Sequence, residues 1–213
     1  MLHNADMTVN ETAPLPSSDA ALRGAVRFVA LANLAYFGVE FAIALAIGSV
    51  ALFADSIDFL EDTALNLLIL VGLGWSAVWR GRLGMVLAGI LLIPSLATVW
   101  KAWEKFLHPV PPDPVWLAVA GVGALVVNLA CALVLARHRQ HQGSLVKAAF
   151  FSARNDALAN VAIVVAGIVT TLVLSGWPDL IVGLGILVIN ADAARKVWIA
   201  ARHEVRLAEE TGR

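Results

Sequence analysis

The sequence predicts an all-α membrane protein with six transmembrane helices, because hydrophobic residues dominate it and occur in long stretches. Hydrophobic residues make up 60% of the 213 residues, charged residues make up 15%, and the mean hydropathy is +0.80. Soluble domains are closer to half apolar, with about a quarter of their residues charged. A membrane-spanning helix needs about 20 mostly apolar residues. Such stretches lie at 27–47, 50–78, 83–99 (or on to 107), 115–136, 145–174 and 178–198.

The distribution of Lys and Arg predicts the orientation of these helices. With six spans, both ends of the chain lie on one side of the membrane. That side carries twelve Lys and Arg residues, whereas the other side carries only Lys101 and Lys105. Because positive residues concentrate in cytoplasmic loops, both termini are predicted to be cytosolic. The expected location is the cell membrane (the inner membrane of a Gram-negative cell), and no basic block indicates nucleic-acid binding.

Residues 21–202 are predicted to form a single six-helix transmembrane domain between two short cytosolic tails. Residues 1–20 are polar and lack the basic start and apolar run of a signal peptide, so they are predicted to be a disordered tail. Residues 203–213 are too few to form another domain. Breaks between the helices are predicted where Gly, Pro or charged residues cluster, at 48–49, 80–82, 108–114, 137–144 and 175–178.

The second apolar stretch carries four carboxylates, which are costly inside a bilayer and therefore indicate a functional site. Four polar residues fall within an arc of roughly 80° on one face of the predicted helix, namely Asp55, Asp58, Asp62 and Asn66. Glu61 lies to one side of that face. One helical turn separates Asp58 from Asp62, so both carboxylates can hold the same cation.

The fifth stretch repeats this pattern, with Ser152, Asp156 and Asn160 spaced four residues apart. Counted from the helix ends, Asp62 and Asp156 both lie about 16–20 Å into a hydrocarbon core of about 30 Å. Carboxylates at one depth repel each other unless a cation or protons neutralise them. The pattern therefore predicts a site where a divalent cation exchanges with protons, although a permanently bound structural ion meets the same requirement.

These residues resemble the cation diffusion facilitator family of divalent-metal/proton antiporters. In that family the second helix follows a Gly-Ser turn and carries His/Asp-x-x-x-Asp at a fixed distance. Here residues 48–49 are Gly-Ser, and Asp58 and Asp62 follow at that distance. The fifth helix of the family carries His-x-x-x-Asp, to which Ser152 and Asp156 correspond. The resemblance covers all six predicted helices.

The resemblance implies a metal site formed by Asp58, Asp62 and Asp156, with Ser152 or Asn155 as a weak oxygen ligand. Ser152 stands where the family usually has His. An all-oxygen ligand set favours harder ions such as Mn²⁺ or Fe²⁺, whereas Zn²⁺ normally takes nitrogen or sulfur ligands as well. The family favours Zn²⁺, so Zn²⁺ is the first expectation, with Cd²⁺, Fe²⁺, Mn²⁺ and Co²⁺ as alternatives. Protons are the expected counter-ion, and no further cofactor is expected.

Other polar residues of the apolar stretches receive supporting roles. Asp55 is predicted to donate or accept a supporting hydrogen bond, and Glu40 to form a hydrogen bond between helices. Asn66 and Asn160 are predicted either to orient the carboxylates or to bond one helix to another. Arg154 is a candidate partner for the acids, unless it reaches toward the cytosolic interface.

The protein is not predicted to be an enzyme. No nucleophile–base pair, phosphate loop or nucleotide motif is present, so primary active transport by this chain alone is not expected. The resemblance implies metal efflux by proton antiport. It also implies a member without the usual cytosolic domain after the sixth helix, so a homodimer would form through the transmembrane helices. Two alternatives remain, a non-transporting membrane metal sensor or scaffold and a carrier of monovalent cations and protons. His138 and His141 fit a solvated basic loop better than a metal-binding one.

Overall fold

The computed structural model describes residues 16–72, 77–137 and 144–210, and the regular structure within these ranges is entirely α-helical. This confirms the predicted all-α class. The described helices are α1 (Pro16–Ile47), α2 (Val50–Gly72), α3 (Ala77–Leu107), α4 (Pro114–Ala136), α5 (Ser144–Val173) and α6 (Trp177–Glu210). Within the described residues, three helical segments are long and apolar enough to cross a membrane, namely Ala20–Ile47, Pro114–Ala136 and Ala149–Val173. Helix α2 is long enough as well, but its four carboxylates lower its hydropathy.

Two predicted boundaries were wrong, and the predicted C-terminal tail is largely helical. Helix α1 begins at Pro16, so residues 16–20 of the predicted disordered tail are helical. Proline fits the first turn of a helix, where its missing N–H needs no partner. Helix α3 runs through the predicted break at 80–82, because Arg is a good helix former and one Gly costs only about 1 kcal/mol in a helix. Helix α6 continues to Glu210, through most of the predicted tail at 203–213.

Helix α2 lies at the centre of the arrangement and contacts each of the other five helices. Helices α1, α2, α5 and α4 form a four-helix bundle, in which each contacts the next and α4 contacts α1. Within the described residues, α1 and α5 face each other diagonally and are not neighbours. Helices α3 and α6 pair with each other and pack on α2, and α6 also reaches α5.

Apolar side chains pack into two clusters toward the two ends of the bundle. One lies toward the turn between α1 and α2, which we call the Gly48 end, and includes Ala44, Leu52, Leu117 and Ile163. The other lies toward the opposite end and includes Val26, Ile69, Cys131 and Leu135. Most of the buried polar residues of α1, α2 and α5 lie between these clusters, so apolar packing encloses a polar layer on both sides.

The N-terminus of α2 is capped by a side chain from another helix. Asp179, in the first turn of α6, is fully buried. Its carboxylate accepts hydrogen bonds from Ser49 Oγ at 2.5 Å, Val50 N at 2.9 Å and Ala51 N at 3.2 Å. A carboxylate at this position satisfies amide groups that have no partner within the helix and interacts favourably with the helix dipole. Asp179 therefore fixes where α2 begins.

A lysine of α3 and two glycines, Gly48 and Gly183, allow α3 and α6 to pack against this cap. Lys105, near the end of α3, places its Nζ 3.5 Å from the Asp179 carboxylate and donates a 2.8 Å hydrogen bond to the Gly48 carbonyl oxygen. Gly48 has a φ of 66°, a left-handed conformation that glycine adopts without strain. At Gly183 of α6, a Cβ atom would lie only 2.8 Å from the carbonyl carbon of Val50. The absence of a side chain there allows α6 to approach α2 closely.

Candidate metal site

Asp62 is the point at which polar contacts join α1, α2 and α5. Ser152 Oγ of α5 donates to Asp62 Oδ1 at 2.9 Å, and Asn33 Nδ2 of α1 lies 3.5 Å from Asp62 Oδ2. Cys131 Sγ of α4 in turn lies 3.6 Å from Asn33 Oδ1. Neutral donors from two other helices therefore contact both oxygens of this buried carboxylate.

Asp58, one turn nearer the Gly48 end, is buried as well and contacts α6. The Nδ2 atom of Asn190 donates a hydrogen bond to Asp58 Oδ1. Asn190 itself is partly buried in the middle of α6. Helix α6 therefore contributes a polar contact to the site that the sequence prediction did not include.

Asp156 is partly buried on α5, one turn beyond Ser152, and lies within electrostatic range of Asp58 and Asp62. In the ranges that the structure describes, no group of three or more His, Cys, Asp or Glu side chains is arranged to hold a metal ion. The acids are thus near one another, but their side chains are not arranged around one position that a metal ion could occupy. A cation that binds here must replace the hydrogen bonds of the carboxylates and draw the acids together.

Asn66 and Asn160 occupy equivalent places on α2 and α5 but do not contact the carboxylates. Each side-chain amide donates a 2.7 Å hydrogen bond to the backbone carbonyl four residues earlier, at Asp62 and Asp156 respectively. Both residues therefore bond to their own helix, rather than orienting a carboxylate or joining two helices. Their Oδ1 atoms are buried and lack a hydrogen-bond partner.

Several neighbouring residues have a less direct relation to the site. Asn155 is exposed, whereas Ser152 and Asp156 of the same helix are partly buried. Arg154 is exposed too, and its guanidinium lies 5.3 Å from the centroid of the Phe151 ring. Glu61 is partly buried and lies within electrostatic range of the carboxylates. The predicted loop histidines, at 138–141, lie outside the described residues.

Glu40 and Asp55 are both fully buried and lie within electrostatic range of each other across the interface between α1 and α2. Their carboxyl groups are close enough to share one hydrogen bond with each other, and none of their four oxygens accepts a hydrogen bond from another residue. The hydrogen bond between helices that the sequence predicted for Glu40 is therefore one that it can form only with Asp55, with a proton shared by the two carboxyl groups. Their position is a feature that the predicted site does not account for.

Sequence reasoning missed four residues that hold the site in place. Asn33 lies seven residues before Glu40 and so on the same face of α1, a periodicity that could have revealed it. Asn190 has no periodic partner on α6 that would have indicated its role. Asp179 and Lys105 lie near helix ends, where charged residues are ordinary, so their burial gave no signal in the sequence.

A bundle of long apolar helices that buries carboxylates at its centre defines a multi-pass membrane protein, here one of the cell membrane. Residues 83–202, more than half of the chain, match the family model of the cation efflux transmembrane domain. The chain belongs to this family, the cation diffusion facilitators, as the resemblance predicted. The matched range begins after α2, so Asp58 and Asp62 lie outside it.

Two similar proteins are bacterial zinc transporters of the same name. The zinc transporter ZitB of Escherichia coli K12 and that of Shigella flexneri are each 27% identical to this chain over 163 residues. The match covers 71% of this chain and 51% of each relative. The chain therefore spans about half the length of these relatives.

Proposed function

We propose that this protein exports divalent transition-metal cations, Zn²⁺ foremost, in exchange for protons. The proposed site is formed by Asp58, Asp62 and Asp156, with Ser152 as a weak oxygen ligand. The hydrogen bond between Ser152 and Asp62 carries the proposal, because it joins the polar segments of α2 and α5 inside an otherwise apolar bundle. Membership of the cation efflux family and the similarity to zinc transporters support the substrate class.

The chemistry of the side chains is consistent with this substrate class. Three carboxylates and a hydroxyl make an oxygen-rich site whose negative charge one divalent cation offsets in large part. Protons can offset it when the cation leaves. Such a site also accepts Mn²⁺, Fe²⁺, Co²⁺ and Cd²⁺, which remain alternatives to Zn²⁺. The exposure of Asn155 favours Ser152 as the additional ligand.

The hydrogen bonds of the acids suggest how binding is coupled to movement. Donors from three different helices contact Asp58 and Asp62, namely Asn33 of α1, Ser152 of α5 and Asn190 of α6. A cation that displaces these donors changes the contacts between helices. It can therefore shift the balance between conformations open at opposite ends of the bundle. A neutralised site, whether loaded with metal or with protons, crosses the low-dielectric interior at lower cost.

The same proposal includes the orientation of the protein in the membrane and its assembly. All six helices span the bilayer, both termini are cytosolic, and the Gly48 end faces outward. The excess of Lys and Arg at the opposite end supports this orientation. Two copies associate through their transmembrane helices.

Metal uptake into proteoliposomes with an imposed pH gradient tests the proposal. Purified wild-type protein should transport Zn²⁺ in a gradient-dependent manner, and Asp62→Ala should abolish the flux. Glu104→Gln serves as a matched control, because Glu104 is an exposed acid near the end of α3. Flux of Na⁺ or K⁺ alone would indicate a carrier of monovalent cations. Metal binding without flux of any ion would indicate a sensor or scaffold.

A further inference from the structure

Three fully buried side chains near the centre of the bundle have oxygen atoms without a hydrogen-bond partner, apart from the one hydrogen bond that Glu40 and Asp55 can share with each other. They are Glu40 of α1, Asp55 of α2 and Asn160 of α5, each 0% exposed. The unpartnered atoms are both carboxylate oxygens of Glu40, both of Asp55, and Oδ1 of Asn160. Burying a polar group without a hydrogen bond costs about 2–7 kcal/mol. A proton shared by Glu40 and Asp55 satisfies only two of these five oxygens, so the others indicate that something else binds there.

Ring packing between α1 and α2 shows that Glu40 and Asp55 lie at the same level. The two helices are antiparallel, and the rings of Tyr36 and Phe59 pack with centroids 5.1 Å apart. Glu40 lies four residues from Tyr36, and Asp55 lies four residues from Phe59, in both cases toward the Gly48 end. The side chains of Glu40 and Asp55 are accordingly within electrostatic range of each other.

The register between α2 and α5 brings Asn160 to this level as well. Ser152 bonds to Asp62, and α5 runs antiparallel to α2. Asn160 lies eight residues beyond Ser152, and Asp55 lies seven residues before Asp62. At 1.5 Å per residue, both positions are about 10–12 Å from that hydrogen bond, toward the Gly48 end. Three helices of one bundle therefore present unpartnered oxygens at one level.

The charges at this level favour a divalent cation over a proton as the ligand. One proton shared by Glu40 and Asp55 would leave a net negative charge and further oxygens without a partner. A divalent cation neutralises both carboxylates and can accept all the oxygens as ligands. Two carboxylates and an amide oxygen are ligands that divalent cations take in proteins.

We propose that Glu40, Asp55 and Asn160 form a second divalent-cation site, nearer the Gly48 end than the site of Asp58 and Asp62. The apolar cluster toward the Gly48 end, with the ring pair of Phe41 and Phe53 at a centroid distance of 5.3 Å, lies beyond this site in that direction. The second site gives a cation leaving the central acids a binding position about one to two helical turns away, since Asp55 lies three residues from Asp58 and seven residues from Asp62. This inference rests on the proposed function only in its choice of transition-metal ions as the cations that bind there.

Metal binding by variants of the full chain tests this site. The central site is first inactivated by the triple substitution Asp58→Asn, Asp62→Asn and Asp156→Asn. Binding of Zn²⁺ and Mn²⁺ to the purified protein in lipid nanodiscs is then measured by equilibrium dialysis, with Mn²⁺ also followed by electron paramagnetic resonance. The triple variant should still bind metal, and the addition of Glu40→Gln should weaken that binding at least about tenfold, or 1.4 kcal/mol.

Controls separate loss of ligands from loss of folding. Glu104→Gln in the triple variant makes the same chemical change at an exposed position and should leave the residual binding unchanged. Asn160→Ala removes a neutral ligand and should weaken binding in the same direction as Glu40→Gln. Each variant is checked by size-exclusion chromatography, and only monodisperse protein is compared.

The possible outcomes separate this inference from the proposed function. A folded triple variant that binds no metal, or residual binding that Glu40→Gln leaves unchanged, would overturn the second site. Binding that depends on Glu40 in a protein that transports no metal in proteoliposomes would support the second site and refute export. Transport without Glu40-dependent binding would refute the second site alone.

Discussion

Neutral side chains, rather than Lys or Arg, make the described hydrogen bonds to Asp58 and Asp62. Ser152, Asn33 and Asn190 supply them. Removing the partner of a buried ion pair leaves an uncompensated charge, which is strongly destabilising. A neutral hydroxyl or amide group that a cation displaces from a carboxylate becomes no unpaired charge itself. Neutral donors therefore suit carboxylates that, in the proposed transport cycle, exchange their partners for a cation.

Ser152 and its neighbour Asn155 offer a matched test at this scale. Ser152→Ala removes the hydroxyl that bonds Asp62, whereas Asn155→Ala removes a polar group from an exposed position. A group that supports the ligands of a metal ion typically contributes about 10–100-fold to its affinity, and Ser152 is itself a ligand in the proposed site. We therefore expect Ser152→Ala to raise the metal concentration for half-maximal transport about tenfold or more, and Asn155→Ala to change it little. Unchanged or tighter binding in Ser152→Ala would mean that the hydroxyl only occupies the place of the cation.

Among the helices, α2 depends most on its neighbours, because its N-terminus is capped from α6 and tied to α3. Asp179 accepts from the first backbone amides of α2, and Lys105 bonds the Gly48 carbonyl just before them. The start of α2 determines the depth of its carboxylates in the bundle. The contacts at the Gly48 end therefore position the central site, which lies about two to three helical turns away.

Paired substitutions of Asp179 and Lys105 measure this dependence. Asp179→Asn keeps an oxygen that can accept from the amides but leaves the buried Lys105 charge unpaired. Breaking a buried ion pair costs about 3–5 kcal/mol, whereas replacing both charges is often close to neutral. We expect Asp179→Asn to lower the temperature at which detergent-solubilised protein loses monodispersity. Addition of Lys105→Met should restore part of the loss.

Asp113 provides the comparison for that experiment, because it caps its own helix, α4, at an exposed position. Asp113→Asn makes the same substitution at a helix N-terminus without a buried partner. It should lower the transition temperature by much less than Asp179→Asn. Equal effects of the two substitutions, or no recovery with Lys105→Met, would contradict a stabilising role for the buried pair.

These elements also show which parts of the molecule could be predicted from the sequence. Hydropathy, glycine and proline are local signals, and they located all six helices and the turn at Gly48. Helical periodicity placed Asp62 and Ser152 on faces that do meet. The contact of Asn190 with Asp58 joins residues 132 positions apart, and nothing in the local pattern of α6 indicates it. Tertiary packing alone creates such contacts, as it does the cap of α2.

At the scale of the whole molecule, α2 contacts all other helices and carries most of the buried acids. Movement of α2 relative to α1, α5 or α6 therefore changes hydrogen bonds at the site. Helix α2 is part of the four-helix bundle, and the α3–α6 pair packs on it as well. A conformational change that opens one end must accordingly alter how α2 packs against at least one of them.

The orientation of this assembly is open to a direct test, because the chain has a single cysteine, Cys131, and it is buried. In a Cys131→Ala background, His108→Cys lies at the exposed Gly48 end, and Arg137→Cys lies at the other end of α4. A membrane-impermeant maleimide added to intact cells should label His108→Cys only. After the membrane is opened, it should label both.

A third variant extends this test to the last two helices. Arg206→Cys lies beyond the apolar part of α6 and should behave like Arg137→Cys, because α5 and α6 together return the chain to the same side. Labelling of His108→Cys and Arg137→Cys from the same side would contradict the crossing of α4. Labelling of Arg206→Cys together with His108→Cys would mean that only one of α5 and α6 crosses. The reverse pattern in all three variants would keep six spans but place both termini outside, against the distribution of Lys and Arg.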